Sequence, residues 1–275
     1  MGGQIYFGTK QVMSWIPAPK ISMARNVSTW NSGGEVFLNG GTSLRNSRTG
    51  HRTYELDWSL APGIDIDIIY AYADRAYGEG PFYFVDPGAA NYNLFPHYYA
   101  HPALAAQDAP LLYGTARPTL ITTPTNTQMY PINSAVYTVA GTGSNFLWIP
   151  VPAGYTLHLG FHGSVTGTGV VQAVTDAAVA TSLTPLLANT TTRTNYTYTG
   201  PGGISVRLGG TGTVTVSGLI AQLRKTGVAV PTGGWIPGKG NSGCDFSSYP
   251  EDTLYNAARD FTHVSAELKE VGAWL

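Results

Sequence analysis

The chain has 275 residues, of which 43% are hydrophobic and 11% are charged, and its net charge is −1. That length allows one or two domains with a substantial core, because domains typically run to about 100 to 200 residues. A nearly neutral chain has no strong field to attract nucleic acid or an anionic membrane, and no apolar run approaches the roughly 18 residues of a membrane span, so neither nucleic acid nor membrane insertion is predicted.

The first part of the chain has patterns of both strands and a helix. Over residues 53–60, apolar side chains alternate with polar ones, which is typical of a half-buried strand. Residues 64–77 place apolar side chains at helical spacing and are followed by glycines, which predicts a helix. Residues 81–85 predict a short buried strand.

The middle of the chain has a different pattern. Between Met129 and Lys225, short apolar stretches recur at intervals of roughly eight to twelve residues, which favours a β-sandwich or jelly roll. Several Gly-Thr-Gly triplets lie between these stretches. Glycine adopts the positive φ that tight turns need, so the triplets are predicted to separate strands.

The C-terminal segment again alternates. In residues 262–271, Val264, Ala266 and Leu268 alternate with polar residues, which predicts a strand although the composition would suit a helix. If this strand and the strand at 53–60 lie in one sheet, the two ends of the chain form one domain. Inserting the middle segment into a loop is cheap, because each doubling of loop length costs only about 0.6 kcal/mol.

The acidic residues are distributed in the same way. Of the sixteen carboxylates, fifteen lie in residues 1–108 or 228–275, and only Asp176 lies between them. This contrast predicts a hub domain in two parts, 1–108 and 228–275, with an inserted β-sandwich over 109–227. The predicted fold class is mainly β: an α+β hub, organised as a split β-sandwich with one helix, and an inserted β-sandwich or jelly-roll domain.

Two histidine pairs have spacings seen in metal sites. His97 and His101 are four residues apart, but prolines bracket a segment too short for a stable helix, and no third ligand is nearby, so a packing or interface loop is favoured. His158 and His162 share a face if they lie in a strand. We expect a surface or edge position for them, with a ligand groove as the alternative. No metal site is predicted.

Motifs for catalysis or cofactor binding are weak. The segment Gly238-Lys-Gly-Asn-Ser-Gly243 matches the letters of a dinucleotide-binding loop, but no buried strand precedes it and no βαβ pattern follows. A flexible loop is favoured, and no cofactor is predicted. Glycoside hydrolysis needs two carboxyl groups where the middle segment has one, and neither a nucleophile elbow nor an ordered catalytic triad is found. The sequence therefore predicts no catalytic residue and no enzyme.

Four aromatic residues of the middle segment are candidates for contact with sugar rings: Trp148, Tyr155, Tyr196 and Tyr198. Aromatic faces bind the apolar C–H patches of sugars, while neighbouring polar groups form hydrogen bonds. The competing interpretation is that these side chains fill the core, because β-sandwiches contain buried aromatics. Both interpretations stay open at this point.

Three motifs of the outer segments resemble those of a known family. They are His51-Arg-Thr-Tyr-Glu-Leu-Asp-Trp58, Gly80-Pro-Phe-Tyr-Phe-Val-Asp-Pro87 and Glu267-Leu-Lys-Glu-Val-Gly-Ala-Trp274. Together they resemble minor tail proteins of tailed bacteriophages that infect actinobacteria, which are similar in plan to the distal tail proteins of long-tailed phages. The resemblance covers about residues 15–105 and 235–275 and does not extend to ligand residues of the middle segment.

The resemblance implies a structural role in the virion tail. The hub would form a cyclic ring, a hexamer or trimer, that joins the tail tube to other tail-tip proteins, and the inserted sandwich would project outward to contact neighbouring subunits or the host surface. Complementary charges can set the register of such a ring. The candidate residues, for which a solvated face is the alternative, are Arg45, Arg48, Arg52, Glu55, Asp57, Arg75 and Glu79.

The expected site of synthesis fits that role. The single Cys244 excludes an intrachain disulfide, and the first residues lack the features of a signal peptide, so assembly in the host bacterial cytoplasm is expected. Two other functions remain as alternatives: an adsorption protein whose inserted sandwich binds a host cell-wall glycan, and an envelope hydrolase.

Overall fold

The protein is mainly β, with antiparallel sheets and helical segments in the outer part of the chain. A computed structural model describes residues 4–19, 24–27, 33–36, 42–45, 52–85, 92–101, 119–121, 134–186, 192–229, 232–241, 243–254 and 261–271. This architecture confirms the predicted fold class.

The helices are α1 (Gly63–Ala73) and α2 (His97–Ala100). The strands, in chain order, are β1 (Gln4–Gly8), β2 (Met13–Pro17), β3 (Ala24–Val27), β4 (Gly33–Val36), β5 (Thr42–Arg45), β6 (Arg52–Pro62), β7 (Tyr83–Val85), β8 (Thr119–Ile121), β9 (Ser134–Val151), β10 (Tyr155–Val165), β11 (Val170–Thr175), β12 (Ala180–Leu183), β13 (Tyr196–Thr199), β14 (Gly202–Lys225), β15 (Cys244–Phe246), β16 (Glu251–Leu254) and β17 (Phe261–Glu270).

The two ends of the chain meet in one sheet. Strand β6 pairs antiparallel with β17, so that Trp58 lies opposite Val264 and Tyr54 lies opposite Leu268. The order of this sheet is β15-β17-β6-β3, with β16 also paired to β17. The alternation in both segments places their apolar residues on the same face, which explains the pairing and confirms the prediction that they share a sheet.

The outer part also contains the hairpin pair β4-β5, helix α1 and a second small sheet. Its strand order is β2-β1-β7, and α1 contributes the buried Ile69 and Tyr72. The helix ends four residues before the predicted end at Tyr77, because Arg75 adopts a φ of 63° and turns the chain. We define the outer core as the buried cluster Ile5, Phe7, Ile16, Tyr54, Leu56, Trp58, Ile69, Tyr72, Phe82, Phe84, Cys244, Val264, Ala266 and Leu268.

The middle of the chain forms a large curled sheet around its longest strand. The order is β12-β11-β14-β10-β13, with β9 on the other side of β14 and β8 paired to β9. The 24 residues of β14 pair first with β11 and then with β10, while β9 pairs on the other side with residues 202–216 of β14. The sheet therefore turns a corner along β14.

Glycines make that corner. The triplets at 141–143 and 210–212 lie inside β9 and β14, where Gly141 is paired with Gly210, so the expectation that they separate strands is wrong. Gly210 has a φ of +82°, and a β-carbon there would overlap the carbonyl oxygen of Thr168 in the third triplet, which does form a turn. Glycine in a strand marks a bend or a close backbone approach, and here it marks both.

A second buried cluster, the inner core, lies inside this curled sheet. Its members are mostly aliphatic and include Val139, Leu157, Leu159, Val206, Leu208 and Val214. The cluster also contains Leu94, Phe95, Tyr99 and Ala100, which precede the predicted boundary at residue 108. The three-part division at 108 and 227 stays a prediction.

Asn93 attaches this preceding segment to the sheet. Its side-chain nitrogen donates to the carbonyls of Leu219 (2.8 Å) and Ile236 (3.1 Å), and its oxygen accepts from the backbone amides of Ala221 and Phe95. The side chain is fully buried. It thus satisfies the backbone of β14 beyond the point where β9 ends its pairing.

Candidate functional site

Three of the four predicted glycan-contact residues lie on one face of neighbouring strands. The register of β10 and β13 pairs Leu157 with Tyr198 and Leu159 with Tyr196, and Tyr155 lies two residues before Leu157. Because side chains alternate along a strand, Tyr155, Tyr196 and Tyr198 project to the same side as the leucines. All three tyrosines are half-buried and pack against the inner core.

Trp148, the fourth residue, is buried behind this face. Its ring lies edge-on to Tyr83 at 4.9 Å and covers Gly203, where a β-carbon would overlap it. Its indole nitrogen donates to Asp176 Oδ1 at 2.7 Å. With 2% of its surface exposed, the ring offers no face to solvent, so its contribution to a surface would be to position Asp176.

Asp176 connects Trp148 to the tyrosines. Burial raises the pKa of Tyr198, and the carboxylates and tyrosines nearby, Asp176 first and then Tyr196, raise it further. The Tyr198 hydroxyl donates to the Pro201 carbonyl at 3.1 Å. We call Tyr155, Tyr196, Tyr198 and Asp176 the aromatic ledge.

Trp15 extends the ledge and was missed in the sequence. Its ring lies 5.7 Å from Tyr155 and 5.1 Å from Tyr6, and it is 38% exposed. The alternation of Ser14, Trp15 and Ile16 was the available signal, but a strand pattern alone does not say that an outer strand meets an inner one. Half-exposed aromatic faces beside a carboxylate and hydroxyls are suited to the C–H faces and hydroxyl groups of saccharides.

The candidate ring-interface residues fall into different environments. Arg75 forms an ion pair with Asp245 at 2.8 Å and lies over the ring of Phe82, and the Asp57 carboxylate is 2.7 Å from His263. Arg75 and Asp57 therefore contact other residues of the outer part of the same chain. Glu55 and Glu79 are exposed. Arg48 lies outside the described residues, and Arg45 and Arg52 are placed only by their strand positions. The interface role of all seven stays a prediction.

The outer face of the β6-β17 sheet is acidic. Glu55 lies directly opposite Glu267 in the strand register, and both line a shallow groove with Asp57, Glu251 and His263. Like charges directly opposite each other on paired strands are destabilising.

The second histidine pair differs from its expected position. His158 and His162 both lie in β10 but are only 4% and 1% exposed, so the expectation of a surface or edge position is wrong. Burial lowers the pKa of His162 to about 4. His101 is also buried and packs edge-on against Trp235. Across the described part of the chain, no three metal-ligating side chains come together.

The glycines at 238 and 240 have a packing function. Gly238 and Gly240 are buried, and β-carbons there would overlap the carbonyl oxygens of Phe95 and Leu94. The Lys239 amide donates to the Asn93 carbonyl. This segment therefore fits tightly against residues 93–96, which accounts for its glycines without a nucleotide.

No protein-family model matches the chain, and no curated protein matches it either. Within the described ranges, no helix has the length and apolar character needed to cross a bilayer.

Proposed function

We propose that this protein is a structural minor tail protein of a long-tailed bacteriophage. The outer segments form a closed ring at the distal end of the tail, between the tail tube and the tail tip, and the inner sheet is directed outward. The observation that carries the proposal is the pairing of β6 with β17, which joins both ends of the chain in one sheet. A ring subunit of this plan contacts its neighbours through the outer part and leaves the inner part for other contacts.

An exposed apolar patch supports contact between copies. Val12 and Tyr77 are 38% and 36% exposed, and both lie against Tyr72, whose hydroxyl donates to the Val12 carbonyl. Val12 immediately precedes β2, which pairs with β1 alone among the described strands. An open strand edge with apolar residues favours association. We call Val12 and Tyr77 the edge patch.

Charge supports an ordered arrangement of the copies. The groove along β6, β17 and β16 is lined by Glu55, Asp57, Glu251 and Glu267, whereas residues 109–227 contain five basic side chains and one carboxylate. The two regions therefore present different charge to their surroundings, and complementary charge at the outer part favours the correct neighbour and orientation more than it adds affinity.

Electron microscopy of tailed particles released from cells that carry the gene tests this function. An antibody against the full chain is expected to label the end of the tail that lies away from the capsid. An antibody against the tail-tube protein controls for access to the particle. Label on the capsid, along the tube, or on no particle while the control antibody binds would overturn the proposal.

The aromatic ledge favours a second candidate function, binding of a host cell-wall glycan during adsorption. Tyr155, Tyr196 and Tyr198 share one half-exposed face, and Asp176 and Trp15 lie beside it. This function is compatible with the ring, because the three tyrosines of the ledge lie on β10 and β13, whereas the edge patch lies in the outer part.

Binding of the full chain to purified wall polysaccharide tests the second function. Tyr196→Ala and Tyr198→Ala should each weaken binding about tenfold, since losing one stacking contact costs on the order of 1.4 kcal/mol. Tyr249→Ala is the matched control, because Tyr249 is 57% exposed and stacks on Tyr70 in the outer part. Equal binding by all four proteins, or no binding by the wild type, would exclude the ledge as a glycan site.

A further inference from the structure

A layer of buried polar side chains lies on the sheet face that points away from the inner core. Strand register pairs His158 with Gln222 and Thr156 with Arg224, so these side chains share one face of β10 and β14. His158, His162 and Gln222 are all more than nine-tenths buried. Thr156 and Arg224, at one end of the layer, are half-buried. Histidines buried on the outer face of a sheet need another segment above them.

Two crossing segments provide that cover. The carbonyl of Arg193 lies directly on Gly160, and the ring of Trp235 lies on Gly218, where a β-carbon would come within 2.6 Å of it. The segments are joined to each other, because Thr192 bridges to Thr232 and the Arg193 guanidinium donates to the Thr232 carbonyl. The missing β-carbons of the two glycines therefore make room for a cover over the polar layer.

The hydrogen-bonding groups enclosed there exceed the partners available to them. Among the described residues, the buried atoms without a hydrogen-bond partner include Nε of Arg193 and Arg224, Nδ1 of His158 and Oγ1 of Thr194. The buried ring of His162 lies at the backbone of Arg193. Each such group costs about 1 to 3 kcal/mol when it is buried without a partner. Their concentration in one place indicates that a ligand supplies the missing acceptors.

The charge of the surroundings indicates what kind of ligand it is. No described carboxylate forms an ion pair with Arg193 or Arg224. Asp176, the one carboxylate of residues 109–227, binds Trp148 instead. The Arg193 guanidinium reaches Gln222 at 3.5 Å, and Arg224 follows on the same face about 6.7 Å further along the strand. One small anion can therefore contact both guanidinium groups.

We propose that this layer binds a tetrahedral oxyanion, the phosphate or sulfate group of a free ion or of a polymer. Arg193 and Arg224 hold its oxygens through their Nε atoms and terminal nitrogens, and Thr194 and His158 donate further hydrogen bonds. Guanidinium groups are suited to such a ligand because their planar fork of donors matches two oxygens at once. We call Arg193, Arg224, His158, His162 and Thr194 the oxyanion site.

Thermal unfolding of the full chain in sodium phosphate tests the site. Phosphate is expected to raise the Tm in a saturable way, whereas sodium chloride of the same ionic strength is not. Arg224→Gln should weaken the apparent affinity at least tenfold, and Arg224→Lys should restore part of it. Arg207→Gln is the matched control, because Arg207 also lies on β14 but its Nε binds Gln172 at 2.8 Å. An equal shift in chloride, or unchanged affinity in Arg224→Gln, would overturn the proposal.

NMR of the wild-type chain tests the site without a variant that could fail to fold. In the wild-type chain, the imidazole ¹⁵N signals of His158 and His162 should shift with added phosphate and saturate at the concentration that saturates the Tm. Those of the other four histidines should stay in place. Shifts of all six histidines, or of neither His158 nor His162, would contradict the site.

Two phosphate ligands distinguish a site for a free ion from a site for a phosphate group within a polymer. Inorganic phosphate and a glycerol phosphodiester are titrated against the same protein. Binding of the inorganic ion alone supports a site for a free ion, and binding of both supports a site for a phosphate group within a polymer. If neither binds, and sulfate does not bind, the oxyanion site does not exist.

Discussion

The outer and inner cores are built by different means. Among the described residues, six of the fourteen outer-core side chains are aromatic, and they come from short strands and a helix far apart in the chain. Four of the twenty-five inner-core side chains are aromatic, and most of the rest are aliphatic residues of the long strands β9, β10 and β14. Large rings can hold short, distant segments together because each buries much area. Long strands can form a core from aliphatic side chains at every second position.

The surfaces of the two regions differ as clearly as their cores. Residues 1–108 and 228–275 carry fifteen carboxylates and ten basic side chains, whereas residues 109–227 carry one carboxylate and five basic side chains. Opposite excess charge on the two regions suits separate partners. The packing of aromatic rings thus determines the structure of the outer part, whereas strand pairing determines that of the inner part. If so, a substitution in one core should destabilise that region more than the other.

The largest expected effect is the loss of a ring from the outer core. Phe82 stacks on Phe7 at 5.7 Å and lies edge-on to Phe246 at 5.0 Å. Phe82→Ala should lower the free energy of unfolding by about 3 to 5 kcal/mol. Hydrogen exchange should show lost protection in β6 and β17, with β10 and β14 retaining theirs. Phe161→Ala, in the inner core, should show the reverse pattern. Equal loss in both sheets after either substitution would mean that the two cores unfold as one.

Acid should destabilise the inner region through His162. Burial lowers its pKa from 6.5 to about 4, so between these values the unfolded chain binds the proton and the folded chain does not. The free energy of unfolding therefore falls as the pH falls from 6.5 to 4, by about 1.4 kcal/mol per unit and roughly 3 kcal/mol in all. Urea titrations at several pH values in this range should give a free energy of unfolding that depends less on pH in His162→Asn. The same dependence on pH in wild type and variant would exclude this contribution.

The corner of the inner sheet can be tested with two paired glycines. Gly210 and Gly141 face each other and both have positive φ, but only at Gly210 would a β-carbon overlap another backbone. Gly141→Ala should cost about 1 to 2 kcal/mol from the left-handed conformation alone. Gly210→Ala should cost at least about 1 kcal/mol more, because it also pushes against Thr168. Equal losses in thermal unfolding would show that the close approach at Gly210 is not needed.

The smallest expected effect is at the junction behind the aromatic ledge. Trp148→Phe keeps most of the packing but removes the hydrogen bond to Asp176, and it should cost about 1 kcal/mol. Asp176→Asn keeps an acceptor oxygen and should cost less than half of that. If Asp176→Asn is the more destabilising of the two in chemical unfolding, the carboxylate has another function in the fold.

The half-buried strands were predictable because their pattern is local. The alternation at Tyr54, Leu56 and Trp58, and again at Val264 and Leu268, survives in the structure with one face buried. Each of these strands must bury its apolar face, and a shared sheet buries both. This requirement led to the prediction that the two ends of the chain pair.

The features that were missed depend on contacts between distant segments. Polar residues on the second face of a strand, such as His158 and His162, look the same in the sequence whether solvent or another segment covers them. Their burial depends on the segments at Arg193 and Trp235, which cross the sheet because Gly160 and Gly218 leave space. For the same reason, nothing in the local sequence marks Asn93 as the residue that satisfies the backbone of β14.

Counting the copies in an assembled particle tests the central claim most directly. Electron microscopy of the purified full chain, alone and with tail tubes, is expected to show closed rings of three or six copies with the inner strands on the outside. Val12→Asp, in the edge patch, should prevent ring closure, and Val179→Asp, at a valine of the inner part that is even more exposed (59% against 38%), should not. A single copy at every concentration, with and without tubes, would contradict the ring.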